Sequence, residues 1–548
     1  MGRKKESASG FVVQGSILAT ASILARIIGL IYRVPVTNII GDYGNGLYGF
    51  AFEVYSMMLL ISSYSLPTAI SKLVAARTHK GQHKNAYKIF RAGMIFAVVV
   101  GTLASAITFL LADFISVAIM KDSMIALSLK VLAPAILVGA IMGVLRGYFQ
   151  GLGTMMPTAV SQIIEQIVNA FVSVIAAYYL FAYGTKVAQV LQNEDYSAAY
   201  GAAGSTLGTF LGTVVGLIFL LFMMLIYKRV LKRRMQKDHS RQVESYGTIY
   251  MLLFSTIVPI ILSTAVYNSS VFIDQTIFSN VMSSKGIENY TELFGVFTGK
   301  YRTLVNVPVS IASALAASTM PSLTMAVASR DRRLVNRKIN ISIRFIMVIA
   351  FPCAVGLGVL GSPVLQLLFH DTRELPANML MLGSIAVVFY SLSTLSNGIL
   401  QGLNKMNVPV RNAFISLVTH VVIVYFMLKF TNLSIYVIVM GNVIFAFMMC
   451  VLNAIEIKKA TGYKQEIYKS FIVPMISSLI MGVVAFVIYF LMEKLTKSNT
   501  ISFILAFVVA VVVYAVVLLR MKGFTEEELA SLPKGAMMVS VAKRFRLI

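Results

Sequence analysis

The chain has 548 residues, 58% of them hydrophobic and only 13% charged, with a mean hydropathy of +0.81. A soluble domain of this length does not carry so much apolar surface, so the composition points to a polytopic helical membrane protein. The net charge of +25 raises the question of nucleic acid, and the two cysteines, Cys353 and Cys450, both inside apolar segments, exclude a disulfide framework or metal-type cysteine spacing.

Fourteen apolar stretches are long enough to span a bilayer, centred near residues 26, 60, 100, 137, 169, 214, 263, 312, 355, 389, 420, 446, 481 and 511. The first is too long for a cleavable signal peptide and lacks a small-residue cleavage site. If Arg3, Lys4 and Lys5 lie in the cytoplasm, the inside segments hold 32 Lys and Arg residues and the outer loops hold 6. This asymmetry predicts both termini in the cytoplasm. The basic excess is then a topology determinant and an attraction for anionic membrane lipids, with no nucleic-acid partner implied.

Within the first span, Arg26 and Arg33 are seven residues apart and leave the same face of a helix. Gly29 lies between them and Pro35 disturbs the helix just beyond. Each arginine at mid-bilayer costs about 2.5–3.5 kcal/mol on insertion scales, so two on one stripe need a physical reason. A water-filled cavity with a positive wall for an anion is one. Ion pairing with Glu53 or Asp274 is the plainer one, and pairing is compatible with lining.

Polar stripes at helical spacing follow. The second span carries Glu53 and Ser56, and the fifth carries Gln162, Glu165 or Gln166, Asn169 and Ser173. The seventh carries Ser263, Tyr267, Ser270 and Asp274, and the eighth carries Arg302, Asn306, Ser310 and Ser313. The serines are expected to serve helix packing. The charged groups must face protein or water. Among the cations inside spans, Lys72, Lys130, Arg146, Arg344 and Lys429 lie near helix ends, where snorkelling is expected. That leaves Arg26, Arg33, Lys300 and Arg302 as functional candidates. His79 and His83 fall in a basic loop, which argues for a solvated face over a metal site, and His420 reads as a packed neutral histidine.

The chain also repeats. Gly147-Tyr148-Phe149-Gln150-Gly151-Leu152 precedes Pro157, and Gly398-Ile399-Leu400-Gln401-Gly402-Leu403 precedes Pro409. Pro67 and Pro321 likewise each precede a basic loop. The spacing predicts two parallel six-helix lobes, one over residues 1–227 and one over 246–457, joined by a cytoplasmic linker at 228–245. Two further spans occupy 470–521, and a cytoplasmic tail occupies 522–548. No outer loop is long enough for a domain. Even the longest, Tyr183 to Tyr200, offers only Glu194 and Asp195 as paired carboxylates, and no phosphate-binding loop, nucleophile elbow or zinc-protease motif is present.

Leu24-Ala25-Arg26-Ile27-Ile28-Gly29 with Arg33 resembles the first helix of the MurJ/YtgP-type lipid II flippases, members of the multidrug/oligosaccharidyl-lipid/polysaccharide (MOP) exporter superfamily. Gly299-Lys300-Tyr301-Arg302-Thr303-Leu304-Val305-Asn306-Val307-Pro308 is similar to that family's eighth helix. The resemblance covers the full length and implies a MATE-like fold of fourteen transmembrane helices in a bacterial plasma membrane. It implies that Arg26, Arg33 and Arg302, with Lys300 and Asn306 beside them, hold the pyrophosphate of a lipid-linked oligosaccharide. It also implies a groove for the polyprenyl tail on the last two spans, and alternating access. Leu47 and Leu60 stand where some members carry an acidic residue and an arginine, which suggests the YtgP-like branch and leaves a sporulation or capsule paralogue open. Glu53 and Asp274 are expected to offset the arginines or to bind a coupling cation, Na+ or H+; no cofactor and no resident metal is expected, and the chain is expected to be a monomer. A drug or cation antiporter would want a carboxylate-dominated cavity. A membrane glycosyltransferase would want an acidic outer loop.

Overall fold

The computed structural model describes residues 2–238, 244–328 and 331–523, with 540, 543 and 544 in the tail. Every regular element among them is helical, and they divide into two compact units.

The first unit runs to Gly299 and takes in Leu428–Thr431. Its helices are α1 (Gly2–Leu59), α2 (Leu66–His79), α3 (His83–Leu110), the single turn α4 (Ala112–Phe114), α5 (Ile125–Gly151), α6 (Met156–Leu191), α7 (Asp195–Gln236), α8 (Tyr246–Ser284) and the short α9 (Tyr290–Val296). Helix α1 is broken at Gly41, where φ is 68° and ψ −176°. Only glycine enters that region without strain. Asn45 fixes the break. Its Nδ2 donates to the Gly41 carbonyl at 2.6 Å and the Thr37 carbonyl at 3.3 Å, and its Oδ1 accepts from Thr37 Oγ1. Carbonyls that a broken helix leaves without a partner are thereby satisfied by a buried side chain.

Helices α6 and α7 pack along a ladder of small residues. A Cβ at Gly204 or Gly208 would collide with Ala176 or Ser173, and one at Gly212 would lie 2.7 Å from the Glu165 carbonyl. Backbones can approach this closely only where side chains are missing. Leu66, Ile70 and Val74 of α2, Phe90 of α3, Tyr148 and Phe149 of α5 and Leu253 of α8 form a continuous core.

The second unit holds α10 (Arg302–Ala328), α11 (Arg332–Val359), α12 (Gly361–Phe369), α13 (Glu374–Gly383), α14 (Ala386–Gly402), α15 (Asn407–Phe430), α16 (Ile435–Thr461), α17 (Val473–Thr496) and α18 (Asn499–Arg520). The last two do not stand apart. Gly482 of α17 packs on Val355 of α11, the Tyr514 hydroxyl donates to the Val348 carbonyl at 2.6 Å, and Asn499 donates to the Pro363 carbonyl.

Among the described residues ten helical runs are long and apolar enough to cross a membrane, or eleven with the bent pair α13–α14. One of these runs, Thr20–His79, contains the Gly41 break and is long enough for two crossings. With α8 and α10, of 39 and 27 residues, the total is consistent with fourteen. In each unit the repeated glycine motif packs on the helix that carries the matching proline. A Cβ at Gly147 would lie 2.7 Å from the Pro67 carbonyl, and one at Gly398 would lie 3.0 Å from Ala316 Cβ of α10.

The division by packing falls at Gly299, later than the 228–245 linker expected from the repeat. Helices α8 and α9 group with the first unit, and for α9 glycines remove the steric bar. A Cβ at Gly295 would collide with Asp42 of α1, and one at Gly46 with Thr291 of α9. The described ends of the expected linker are anchored as well. Asp238 accepts from the Lys84 amide at 2.7 Å, and Glu244 pairs with Arg77 at 3.1 Å. Residues 239–243 and most of the 522–548 tail lie outside the described residues.

Candidate substrate-binding site

In the first unit the site is built on α1. Arg26 is exposed and Arg33 half-buried, with Gly29 between them facing Gln166 of α6. Among the described residues neither arginine makes a hydrogen bond or ion pair. Arg33 instead lies over the ring of Tyr48, with Cζ 4.0 Å from the ring centroid. In an unbroken helix these two positions would be about 22 Å apart along the axis. The break at Gly41 brings them together.

Around them, α6 presents the predicted polar stripe. Ser22 donates to Gln162 Oε1 at 3.3 Å, Asn169 Nδ2 donates to the Tyr32 hydroxyl at 3.1 Å, and Ser173 donates to Asn169 and to the Ser205 carbonyl. The last bond ties α6 to α7, the packing role expected of the serines. Glu165 pairs with Arg146 of α5 at 2.7 Å, and Arg146 Nε also donates to Ser161. Glu53 is half-buried on the second segment of α1, and Asp274 is 2% exposed on α8. The side chains of Ser263, Tyr267 and Pro321 lie outside those described.

In the second unit Arg302 opens α10 and is half-buried, and Asn306 one turn later is exposed. Lys300 sits in the π-helical segment Phe297–Tyr301 just before it. Expected among the substrate-binding groups, Lys300 is instead 5% exposed and paired with Asp371 at 2.5 Å. Asp371 also accepts from Arg373 Nη2 at 2.7 Å and from the Arg373 amide. Burial alone would raise the Asp371 carboxyl, but hydrogen bonds from Arg373 and Lys300 outweigh it and hold the group well below the usual carboxylate range. The pair holds the loop between α12 and α13 to the start of the Arg302 helix.

Arg146, Arg344 and Lys130, expected to snorkel, form ion pairs. Arg146 meets Glu165, buried Arg344 meets Glu466, and Lys130 meets Asp113. Each has a carboxylate within reach, and an ion pair offsets the desolvation that snorkelling would avoid. Where the first unit has Arg146–Glu165, the second has a neutral network. Asn453 Nδ2 donates to Ser396 and Asn397, and Asn412 donates to Asn453 at 2.9 Å. His420 is packed as expected, with Nδ1 2.8 Å from the Gly441 carbonyl. Among the described residues no group of three His, Cys, Asp or Glu side chains is placed to hold a metal. The Tyr48 contact, the Asn45 latch and the Asp371 pair were missed by sequence reasoning. The aromatic spacing Tyr48, Phe52, Tyr55 was a visible signal for the first.

The model of the polysaccharide biosynthesis protein family matches residues 12–327. Lipid II flippase MurJ of Bacillus subtilis is 27% identical over 481 residues, 85% of this chain and 86% of the relative. Stage V sporulation protein B of the same organism is 26% identical over 125 residues, 23% of this chain and 24% of the relative. Among solved structures, an inward-facing MATE family multidrug resistance transporter of the MOP superfamily aligns with TM-score 0.63 and 16% identity, over 81% of this chain and 99% of that one. Lipid II flippase MurJ in an inward closed conformation aligns with TM-score 0.61 and 15% identity, over 91% of this chain and 97% of that one. The chain has the fold shared by MATE and MurJ transporters, is a multi-pass membrane protein, and belongs to the polysaccharide biosynthesis protein family.

Proposed function

We propose that this protein is a flippase that carries undecaprenyl-pyrophosphate-linked peptidoglycan precursor from the inner to the outer leaflet of a bacterial plasma membrane by alternating access. It is a transporter rather than an enzyme. The observation that carries the reading is the pair Arg26 and Arg33 on a spanning helix, without an ion pair among the described residues, in a chain related along most of its length to a lipid II flippase. A diphosphate cannot cross hydrocarbon bare. Guanidinium groups match its oxygens bidentately and stay charged when desolvated. Arg302 and Asn306 carry groups of the same chemistry on α10 of the second unit. Glu53 and Asp274 would offset the positive charge or bind a coupling cation. Lys300 is assigned the role of holding Arg302 in place through Asp371.

The experiment is rescue of cells depleted of their lipid II flippase. Wild type is expected to restore growth, and Arg26→Ala or Arg302→Ala to abolish it at unchanged protein level. Growth restored by both variants would sink the arginine mechanism. Failure of well-expressed wild type would favour the second reading, export of another lipid-linked oligosaccharide, which the partial match to a sporulation protein supports.

A further inference from the structure

We propose that Tyr48 is a positioning residue for Arg33, holding its guanidinium ready to receive the diphosphate; this rests on the transport reading above and names a residue for the same site. The Arg33 guanidinium lies over the Tyr48 ring, 4.0 Å from its centroid, and interacts electrostatically with neighbouring Tyr32. No hydrogen bond among the described residues commits its N–H donors. A ring face attracts the cation without consuming those donors.

Tyr48 is itself fixed from two sides. Its ring stacks on Phe52 with centroids 5.6 Å apart and an interplanar angle of 11°. On its other side it interacts electrostatically with Tyr32, whose hydroxyl accepts from Asn169 Nδ2, and Asn169 is held in turn by Ser173. Phe52 leans on Tyr55 at 5.7 Å, so the three rings form a ladder along the second segment of α1. An arginine side chain carries about 2 kcal/mol of rotamer entropy, and holding it before the anion arrives leaves less to lose on binding. A shelf that leaves several donors uncommitted suits two adjacent phosphoryl groups better than one. Tyr48 is therefore assigned part of the preference for a diphosphate over a monophosphate.

The test measures binding of undecaprenyl pyrophosphate and undecaprenyl monophosphate to the purified full chain in nanodiscs. The variants are Tyr48→Phe, Tyr48→Leu, Arg33→Ala and the double variant Arg33→Ala/Tyr48→Leu. Tyr48→Phe keeps the ring and is expected to stay within about twofold of wild type, whereas Tyr48→Leu weakens diphosphate binding about tenfold, the scale of a desolvated cation–π contact. Monophosphate binding changes less, and Tyr48→Leu adds nothing once Arg33 is alanine. Tyr48→Met replaces Tyr48→Leu if the latter does not fold. Equal binding by wild type and the non-aromatic variants overturns the assignment and leaves the transport reading standing. So does an equal loss with and without Arg33, which would mark Tyr48 as merely structural. Wild type that binds neither probe overturns both.

Discussion

Lys300 and Arg302 are two residues apart in sequence, yet they meet different fates. Lys300 is buried against Asp371, and Arg302 keeps partial exposure at the start of α10. Removing one member of a buried pair strands the other, at a cost of about 3–5 kcal/mol. Asp371→Asn is therefore expected to lower thermal stability strongly. Lys300→Met should lower it less, because Arg373 still neutralises Asp371. Melting curves of the detergent-purified variants check the order, and equal loss in both would refute it. The pH dependence follows from the lowered Asp371 carboxyl. A depressed acid stabilises the fold fully above its unfolded value of about 4, and the contribution disappears as pH falls through the folded value. The stability gap between wild type and Asp371→Asn should be constant near neutral pH and close in strong acid. That Arg26, Arg33 and Lys300 needed an explanation was legible, since charge inside an apolar run is visible in one dimension. What Arg33 and Lys300 meet, the Tyr48 ring and Asp371, was not. Asp371 is 71 positions from Lys300, and no local pattern couples them.

At the scale of the element, α1 is the informative case. Pro35 pointed to a disturbance near the right place, but the break is at Gly41 and is secured by Asn45. An alanine forced into left-handed backbone costs about 1–2 kcal/mol. Gly41→Ala should therefore reduce stability by that order, and it should also weaken diphosphate binding, since the break is what carries Tyr48 to Arg33. A variant with lowered stability and unchanged binding would separate the break from the site. Gly208→Val tests the α6–α7 ladder, where the added side chain would meet Ser173. Overpacking of this kind costs about 1–3 kcal/mol, readable as a fall in melting temperature. The spacing Gly204, Gly208, Gly212, Gly216 stands openly in the sequence as a close-packing signal. The polar stripe on α6 was read correctly as a stripe because helical periodicity shows which residues share a face.

For the whole molecule, the charge asymmetry predicts orientation. With Cys353 and Cys450 replaced, a membrane-impermeant maleimide applied to intact cells should label a cysteine at Gln192 and spare one at Gln82. The reverse pattern would invert the topology. Sequence alone determined the helical membrane class, the number of crossings consistent with the structure, and the presence of cations that a bilayer does not tolerate idly. These depend on composition and periodicity, which act along the chain. Tertiary structure decided which cations are neutralised, that α8 and α9 pack with the first unit, and that α17 and α18 lean on α11 and α12. Those outcomes depend on how closely two backbones approach and which distant side chains then meet, and neither is encoded in the neighbours of a single residue.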